Sequence, residues 1–333
     1  MSFETGKAAI DFLLKQGKKT KKFDVTFFGG EPLLEFDLIR KLTKYIRERE
    51  KLISKKIIIG IVTNGTLFTS EIINFFKKND IGVLFSFEGD KKRMKKIKGE
   101  RAYRKCLWAI KKLTQKGFKL TARTSIESNE LRLVDFAKHI FKLGFRDIVF
   151  KEVVEGNWDQ AETDKAVMNL AEYFIKEARK GNVLEIYDLI KFLLIRHKAI
   201  KPKPLPCGAG KDIFAVTVEG NILPCHYLRA WEQDFVLGNV FEGKINNEKR
   251  TRFLTLSRND FIYCKNCLAR SYCSGCCLAI SYRYTGNMVQ PVQGCCIWTK
   301  AQVKAVNYIY DILIKKEKNK YLLNLINELR QYY

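Results

Sequence analysis

The chain lacks any run of about eighteen apolar residues, so hydropathy gives no membrane-spanning helix. Its opening residues, MSFETGKAAIDFLLKQGKK, lack a basic stretch followed by an apolar run and a cleavage site, and do not read as a secretory signal. A cytoplasmic location, with no membrane partner, is the expectation. In that reducing compartment ten cysteines point to metal binding or redox chemistry rather than to disulfides. Internal repeats and low-complexity tracts are also absent. Acidic residues are scarce: 36 against 61 lysines and arginines leave a net charge of +25, which raises the question of a nucleic-acid partner. The lysines are scattered, however, at Lys18, Lys19, Lys21 and Lys22, in KKRMKKIK at 91–98 and in KPKP at 201–204. They sit at expected loops and helix ends without the interleaved aromatics of a single-strand groove. A solvated lysine-rich surface accounts for them. An acidic peptide partner is kept as an alternative, and nucleic acid is not expected.

What is present is enough apolar and aromatic side chain, 46% and 12%, to bury a real core in one large or two modest domains. The first segment reads as a helix capped by Ser2, with Ile10, Leu13 and Leu14 on one face. Up to about residue 150, β-branched or aromatic runs at 23–29, 57–63, 82–89, 120–128 and 147–154 alternate with helical patterns at 35–50, 68–79, 101–116 and 130–143. Repeated strand–helix units with such buried strands predict a parallel α/β sheet or barrel; the pattern alone does not separate flavodoxin-like from barrel closure. A mostly helical stretch follows at about 160–197. KAIKPKPLP, 198–206, reads as a linker. A helical tail runs from about 299 to 331.

Nine of the ten cysteines crowd into residues 207–296. Their spacing is Cys207-x17-Cys225, then Cys264-x2-Cys267-x5-Cys273-x3-Cys277 with Cys276 beside the last, then Cys295 and Cys296. A lone C-x2-C fits zinc, iron–sulfur and redox dithiols alike. No second C-x2-C completes a zinc ribbon, and His226 is the one histidine nearby. Nine thiols exceed what one tetrahedral zinc needs and nearly fill two four-thiolate sites, which suits two iron–sulfur clusters. IFAVTV and ILPC read as hairpin strands around Glu219-Gly220-Asn221, a turn that needs a positive φ and brings Cys207 and Cys225 toward one centre. Cys106, in YRKCLWAIK, reads as a buried structural thiol. In FFGGEPLLEF, 27–36, two glycines open the backbone to a ligand and Glu31 stands at a strand's C-terminal end, although GGEP alone would serve as a turn in most proteins.

The pattern C-x12-G-x4-C, C-x2-C-x5-C-x3-C and a further C resembles the SPASM domain of radical SAM peptide-modifying enzymes. Gly29, Gly30, Glu31 and Pro32 resemble the GGEP motif of the same family, which holds the amino group of S-adenosyl-L-methionine. The resemblance implies a partial (β/α)6 radical SAM barrel over 1–197 with its first strand missing, a linker over 198–206, a SPASM domain over 207–300 and a C-terminal helix over 301–333. It implies two auxiliary 4Fe–4S clusters. One would be held by Cys207, Cys225 and Cys277, the other by Cys264, Cys267, Cys273 and Cys296, with Cys295 as the alternative to Cys296. Some members give the first cluster a fourth cysteine from the hairpin, and this chain has none there; an open iron, Cys276, Cys295 or a substrate thiol would complete it. Thr63, Asn64, Ser86 and Arg123 would line the cofactor pocket. Glu88 stands where the family often has Asp, and Glu152 and Glu155 are candidates to meet substrate. The family's C-x3-C-x2-C, which holds the catalytic cluster, is not in this sequence, whose one barrel cysteine is Cys106. A start upstream of Met1 is the favoured explanation, a non-catalytic relative the other; a third, catalytic cluster is expected only with the upstream segment.

The implied function is crosslinking, thioether or related, of a ribosomally made precursor peptide, with an electron donor such as flavodoxin or ferredoxin. CGAG…PCH followed by VLGNV (236–240) most resembles thioether-forming maturases. The alternatives are an iron–sulfur electron-transfer or peptide-binding protein, an oxidase of the anaerobic sulfatase-maturating type, and a zinc-stabilised nucleic-acid binder suggested by charge alone.

Overall fold

Ser2 caps the first helix, its Oγ accepting from Thr5 N at 3.0 Å, and α1 (Phe3–Gln16) puts Ile10 and Leu14 into the core. The computed structural model describes residues 1–17, 20 and 22–331, so Lys18, Lys19 and Lys21 lie outside the described residues. From α1 the chain runs through β1 (Lys22–Phe27), α2 (Phe36–Ile53), β2 (Lys56–Thr63), α3 (Ser70–Lys78), β3 (Ile81–Ser86), α4 (Lys91–Lys98) and α5 (Glu100–Gln115). It continues with β4 (Thr121–Ile126), α6 (Leu133–Lys142), β5 (Asp147–Glu152), α7 (Gln160–Arg179), β6 (Glu185–Ile186) and α8 (Tyr187–Arg196).

All six strands form one parallel sheet in the order of the sequence, β1 to β6. An unreversed order removes the flavodoxin-like alternative, whose order turns back at a switch point, and leaves a barrel-type winding. Strand residues alternate. Ile57, Ile59, Ile61 and Phe85 are buried, whereas Val62, Leu84, Ser86 and Arg123 are only half-buried. Two faces of a strand have different surroundings, and the half-buried set shares one of them.

One departure from the sequence expectations has a physical cause. KKRMKKIK is a helix, not loop or helix-end lysine: Asp90 Oδ1 caps α4 by accepting from Arg93 N at 2.9 Å, and Gly99, at φ +83°, ends it. Arg93 and Met94 are buried. The stretch 160–197 is two helices, because Gly181 at φ +91° stops α7 and β6 intervenes before α8.

Beyond Pro206 the chain forms a small antiparallel sheet, β7 (Ala215–Val216), β8 (Asn221–Leu223) and β9 (Gly238–Asn239), with α9 (Glu232–Phe235) between the last two strands. The expected turn is present, with Gly220 at φ +91°. After it come α10 (Asn247–Leu254), α11 (Leu278–Thr285), α12 (Gln293–Ile309), a π-helical segment at Tyr310–Lys316 and α13 (Lys320–Leu329). Helix α12 begins at Gln293 rather than near 299, so Cys295 and Cys296 lie in its first turn, and it packs on α7 and α8. Gly294 permits this approach: a Cβ there would stand 2.8 Å from Trp158 Cδ1 and 3.0 Å from Val154 O. Among the described residues, no helix is long and apolar enough to cross a membrane.

Candidate functional site

At the C-terminal ends of β1 and β2, the loop after β1 folds Glu31 back over the next strand. Its Oε1 accepts from Thr63 Oγ1 at 2.7 Å and from Leu33 N at 3.1 Å, and its Oε2 accepts from Asn64 N at 2.8 Å. Three donors on one carboxylate fix its aim. Thr63, 2% exposed, also accepts from Gly65 N at 3.0 Å, and Asn64 Oδ1 accepts from Thr66 N and Thr66 Oγ1. Neither Gly29 nor Gly30 is glycine for packing or for backbone strain. A Cβ at either would meet nothing within 4 Å, and neither has a positive φ. Backbone left open beside a fixed carboxylate suits a ligand that approaches the main chain.

The neighbouring strand ends carry the remaining expected residues. Ser86 and Arg123 pair in register across β3 and β4. Arg123 reaches out of the barrel half to donate to Tyr227 Oη at 3.0 Å, and Phe28 packs its ring 4.5 Å from that of His226, next to Cys225. Burial and the Arg123 charge hold the His226 imidazole below its usual pKa. These contacts bring the end of β1 and the cysteine-rich region together.

Two residues here escaped the sequence reading of the site. Lys98, counted among solvated lysines, sends its ammonium to the Ser86 carbonyl. Burial lowers its pKa, and the nearby Glu88, Cys106 and Glu31 act in the opposite direction. Cys106 is buried as expected, but its thiol also donates to Asn64 O at 3.0 Å, tying α5 to the loop after β2. Burial pushes that thiol up to about 11. No local signal singles out either residue, because both depend on where helices land on the sheet. Glu88 lies 3.9 Å from the buried Arg93 guanidinium. Glu152 is buried against Lys151 at 2.9 Å, and Glu155 accepts from Tyr284 Oη of α11.

The clustered cysteines gather in two places. Cys207 and Cys225 lie within electrostatic reach of Cys277, and burial raises both, Cys225 to about 11. Cys264, Cys267, Cys273, Cys276, Cys295 and Cys296 all line one cavity, together with Arg270 and Lys300. Burial raises Cys264, Cys273 and Cys296, the last to about 12, with the neighbouring thiols adding to it. Buried sulfurs that repel one another as thiolates need a cationic centre to ionise, which fits a thiolate-ligated metal group. Among the described residues, no three His, Cys, Asp or Glu side chains converge as they would on a single ion. Cys276 and Cys295 pair off instead. Their sulfurs are 2.8 Å apart, far beyond a disulfide bond. The contact holds Cys276 below and Cys295 above the usual thiol pKa.

Residues 7–126 match the radical SAM superfamily, and residues 207–268 match SPASM, an iron–sulfur cluster-binding domain. The radical SAM cyclopropyl synthase TigE of Paramaledivibacter caminithermalis is 22% identical over 329 residues, covering 95% of this chain and 66% of that protein. The chain thus spans slightly less than two thirds of that relative. A cysteine-type anaerobic sulfatase-maturating enzyme of Clostridium novyi is 24% identical over 275 residues, covering 75% of this chain and 72% of its own length. Among solved structures, native anSMEcpe with bound AdoMet superimposes with a TM-score of 0.75 at 18% identity, over 99% of this chain and 91% of that one. The same protein with AdoMet and the Kp18Cys peptide gives 0.73 at 17% identity, over 98% and 91%.

Proposed function

The chain belongs to the radical SAM proteins that carry a SPASM iron–sulfur cluster-binding domain, and from that premise we propose that it modifies a ribosomally synthesised peptide, forming a thioether or related crosslink. The observation that carries this reading is the Glu31 carboxylate, fixed by Thr63 and Asn64 beside the open Gly29–Gly30 backbone. Gly29, Gly30, Glu31, Pro32, Thr63, Asn64, Ser86 and Arg123 hold S-adenosyl-L-methionine, Glu31 meeting its ammonium. Cys207, Cys225 and Cys277 hold one 4Fe–4S cluster, and Cys264, Cys267, Cys273 and Cys296 a second. The first then has three protein thiolates, since Cys276 and Cys295 face each other by the second cavity. With S-adenosylmethionine and a catalytic 4Fe–4S cluster bound, the site would supply radical chemistry that takes a hydrogen atom from the peptide.

The chain's own residues prepare that event. Three donors keep Glu31 aimed, while the Phe28–His226 contact and the Arg123–Tyr227 hydrogen bond tie the cofactor end to the cysteine-rich half. The substrate is a precursor peptide, and the electron source a carrier such as flavodoxin or ferredoxin.

A catalytic 4Fe–4S cluster needs three further cysteines, and residues 1–333 contain no C-x3-C-x2-C. That observation favours a second reading, an iron–sulfur electron-transfer or peptide-binding protein without radical chemistry. The likeness to a cysteine-type sulfatase-maturating enzyme over 75% of this chain favours a third, oxidation of one peptide side chain. Protein expressed from the natural gene, with any in-frame upstream codons, is incubated anaerobically with dithionite and S-adenosylmethionine. Formation of 5′-deoxyadenosine is expected; its absence in iron-loaded protein overturns the enzyme reading in favour of the second. Fragmentation of the peptide product separates a crosslink, which joins two residues, from oxidation confined to one.

A further inference from the structure

Lys98 ends α4, in the middle of the most basic stretch of the sequence, yet its ammonium turns inward to the Ser86 carbonyl at the C-terminal end of β3. Among the described residues no carboxylate forms an ion pair with it. This contrasts with Lys95 on the same helix, which pairs with Glu100 at 2.5 Å. The strands on either side present the opposite charge and a second cation. Glu31 is fixed at the end of β2, and Arg123 stands across from Ser86 on β4. A fixed carboxylate on one strand end and a half-buried ammonium on the next complement the two ends of an α-amino acid. The ammonium of such a ligand meets Glu31, and its carboxylate requires a cation that is desolvated and not already neutralised.

We propose that Lys98 binds the carboxylate of the amino-acid end of S-adenosylmethionine, beside Arg123. The assignment rests on the cofactor reading above and adds to it a residue that lies outside the GGEP loop. Held at the Ser86 carbonyl, the ammonium is already oriented, so it gives up little side-chain freedom when the anion arrives. Burial lowers the pKa of Lys98 against the opposing pull of Glu88, Cys106 and Glu31, and a bound carboxylate would raise it further.

The test is equilibrium binding to the iron-loaded protein of two ligands that differ by one group, S-adenosylmethionine and decarboxylated S-adenosylmethionine. Both are titrated into the wild type, Lys98→Met and Lys98→Arg. A charge-assisted hydrogen bond in a partly buried site corresponds to about tenfold or more in affinity. Lys98→Met is expected to weaken S-adenosylmethionine by about tenfold or more and the decarboxylated ligand by less than about twofold, and Lys98→Arg to recover most of the loss. Retained binding of the decarboxylated ligand also shows that the variant's pocket is folded; if Lys98→Met does not fold, Lys98→Gln carries the same comparison. Equal weakening of both ligands, or of neither, overturns the assignment of Lys98 while leaving the cofactor reading intact. Failure of the wild type to bind S-adenosylmethionine overturns that reading and this assignment with it.

Discussion

Thr63 stands between two groups that need it: its hydroxyl donates to Glu31 Oε1 and accepts from Gly65 N. Thr63→Val keeps the shape and removes both bonds, leaving a buried N–H unpaired. The expected cost is about 1–3 kcal/mol of stability, read by denaturant titration, with S-adenosylmethionine affinity falling about tenfold and Thr63→Ser restoring both. Cys106 supports the same loop from behind, through Asn64 O. Its folded pKa, about 11, lies above the ordinary thiol value of 9.0. A raised folded pKa means that its contribution to stability is fully present below about pH 9 and is lost as pH rises through 11. Denaturant titrations across that window should show the wild type losing more stability than Cys106→Ala; parallel losses would show that the thiol is not held in this way. At this scale the sequence was informative where chemistry recurs in a short motif. GGEP pointed to Glu31, whereas nothing in KKRMKKIK distinguishes Lys98 from its neighbours, because the carbonyl it meets is twelve residues earlier in the chain.

The same lysine-rich stretch shows what an element can hide. Helix α4 is held by Arg93, whose guanidinium is 2% exposed and reaches Glu127 at 2.8 Å, Glu130 at 2.9 Å and the Phe136 ring at 5.6 Å. It thereby anchors the helix that delivers Lys98 to the site. Arg93→Met removes the charge but keeps the stem. The loss should be about 3 kcal/mol, near the low end for a broken buried pair because Glu127 is itself half-exposed. A thermal melt checks this, and an unchanged midpoint would show that α4 is held by packing alone. The strand–helix alternation was legible because each strand is a short β-branched run and each helix carries one apolar stripe. Less legible were the two-residue strands. β6 and β9 are too short to show a period, and they exist because tertiary neighbours offer them partners.

Across the whole molecule, the barrel's core extends to Ala269, Tyr272 and α12, while the cysteine-rich half keeps a second core around Phe235, Phe253 and Phe261. Trp158 packs against Trp298, Tyr272 Oη donates to Asn307 Oδ1 at 2.6 Å, and α12 carries Cys296 from the barrel's helices to the thiol cavity. The clustering of the thiols was legible because Cys spacing is a local signature. That Cys276 and Cys295 meet each other was not, since they are nineteen residues apart and only the docking of α12 brings them to 2.8 Å. The central claim is that these thiols hold two separate iron–sulfur clusters. Iron and acid-labile sulfide are therefore counted after anaerobic reconstitution of the wild type, Cys207→Ala and Cys264→Ala. The account predicts about eight iron and eight sulfide per wild-type chain, with about half lost in each variant. Stoichiometric zinc without sulfide, or complete loss of iron in either variant alone, would contradict it.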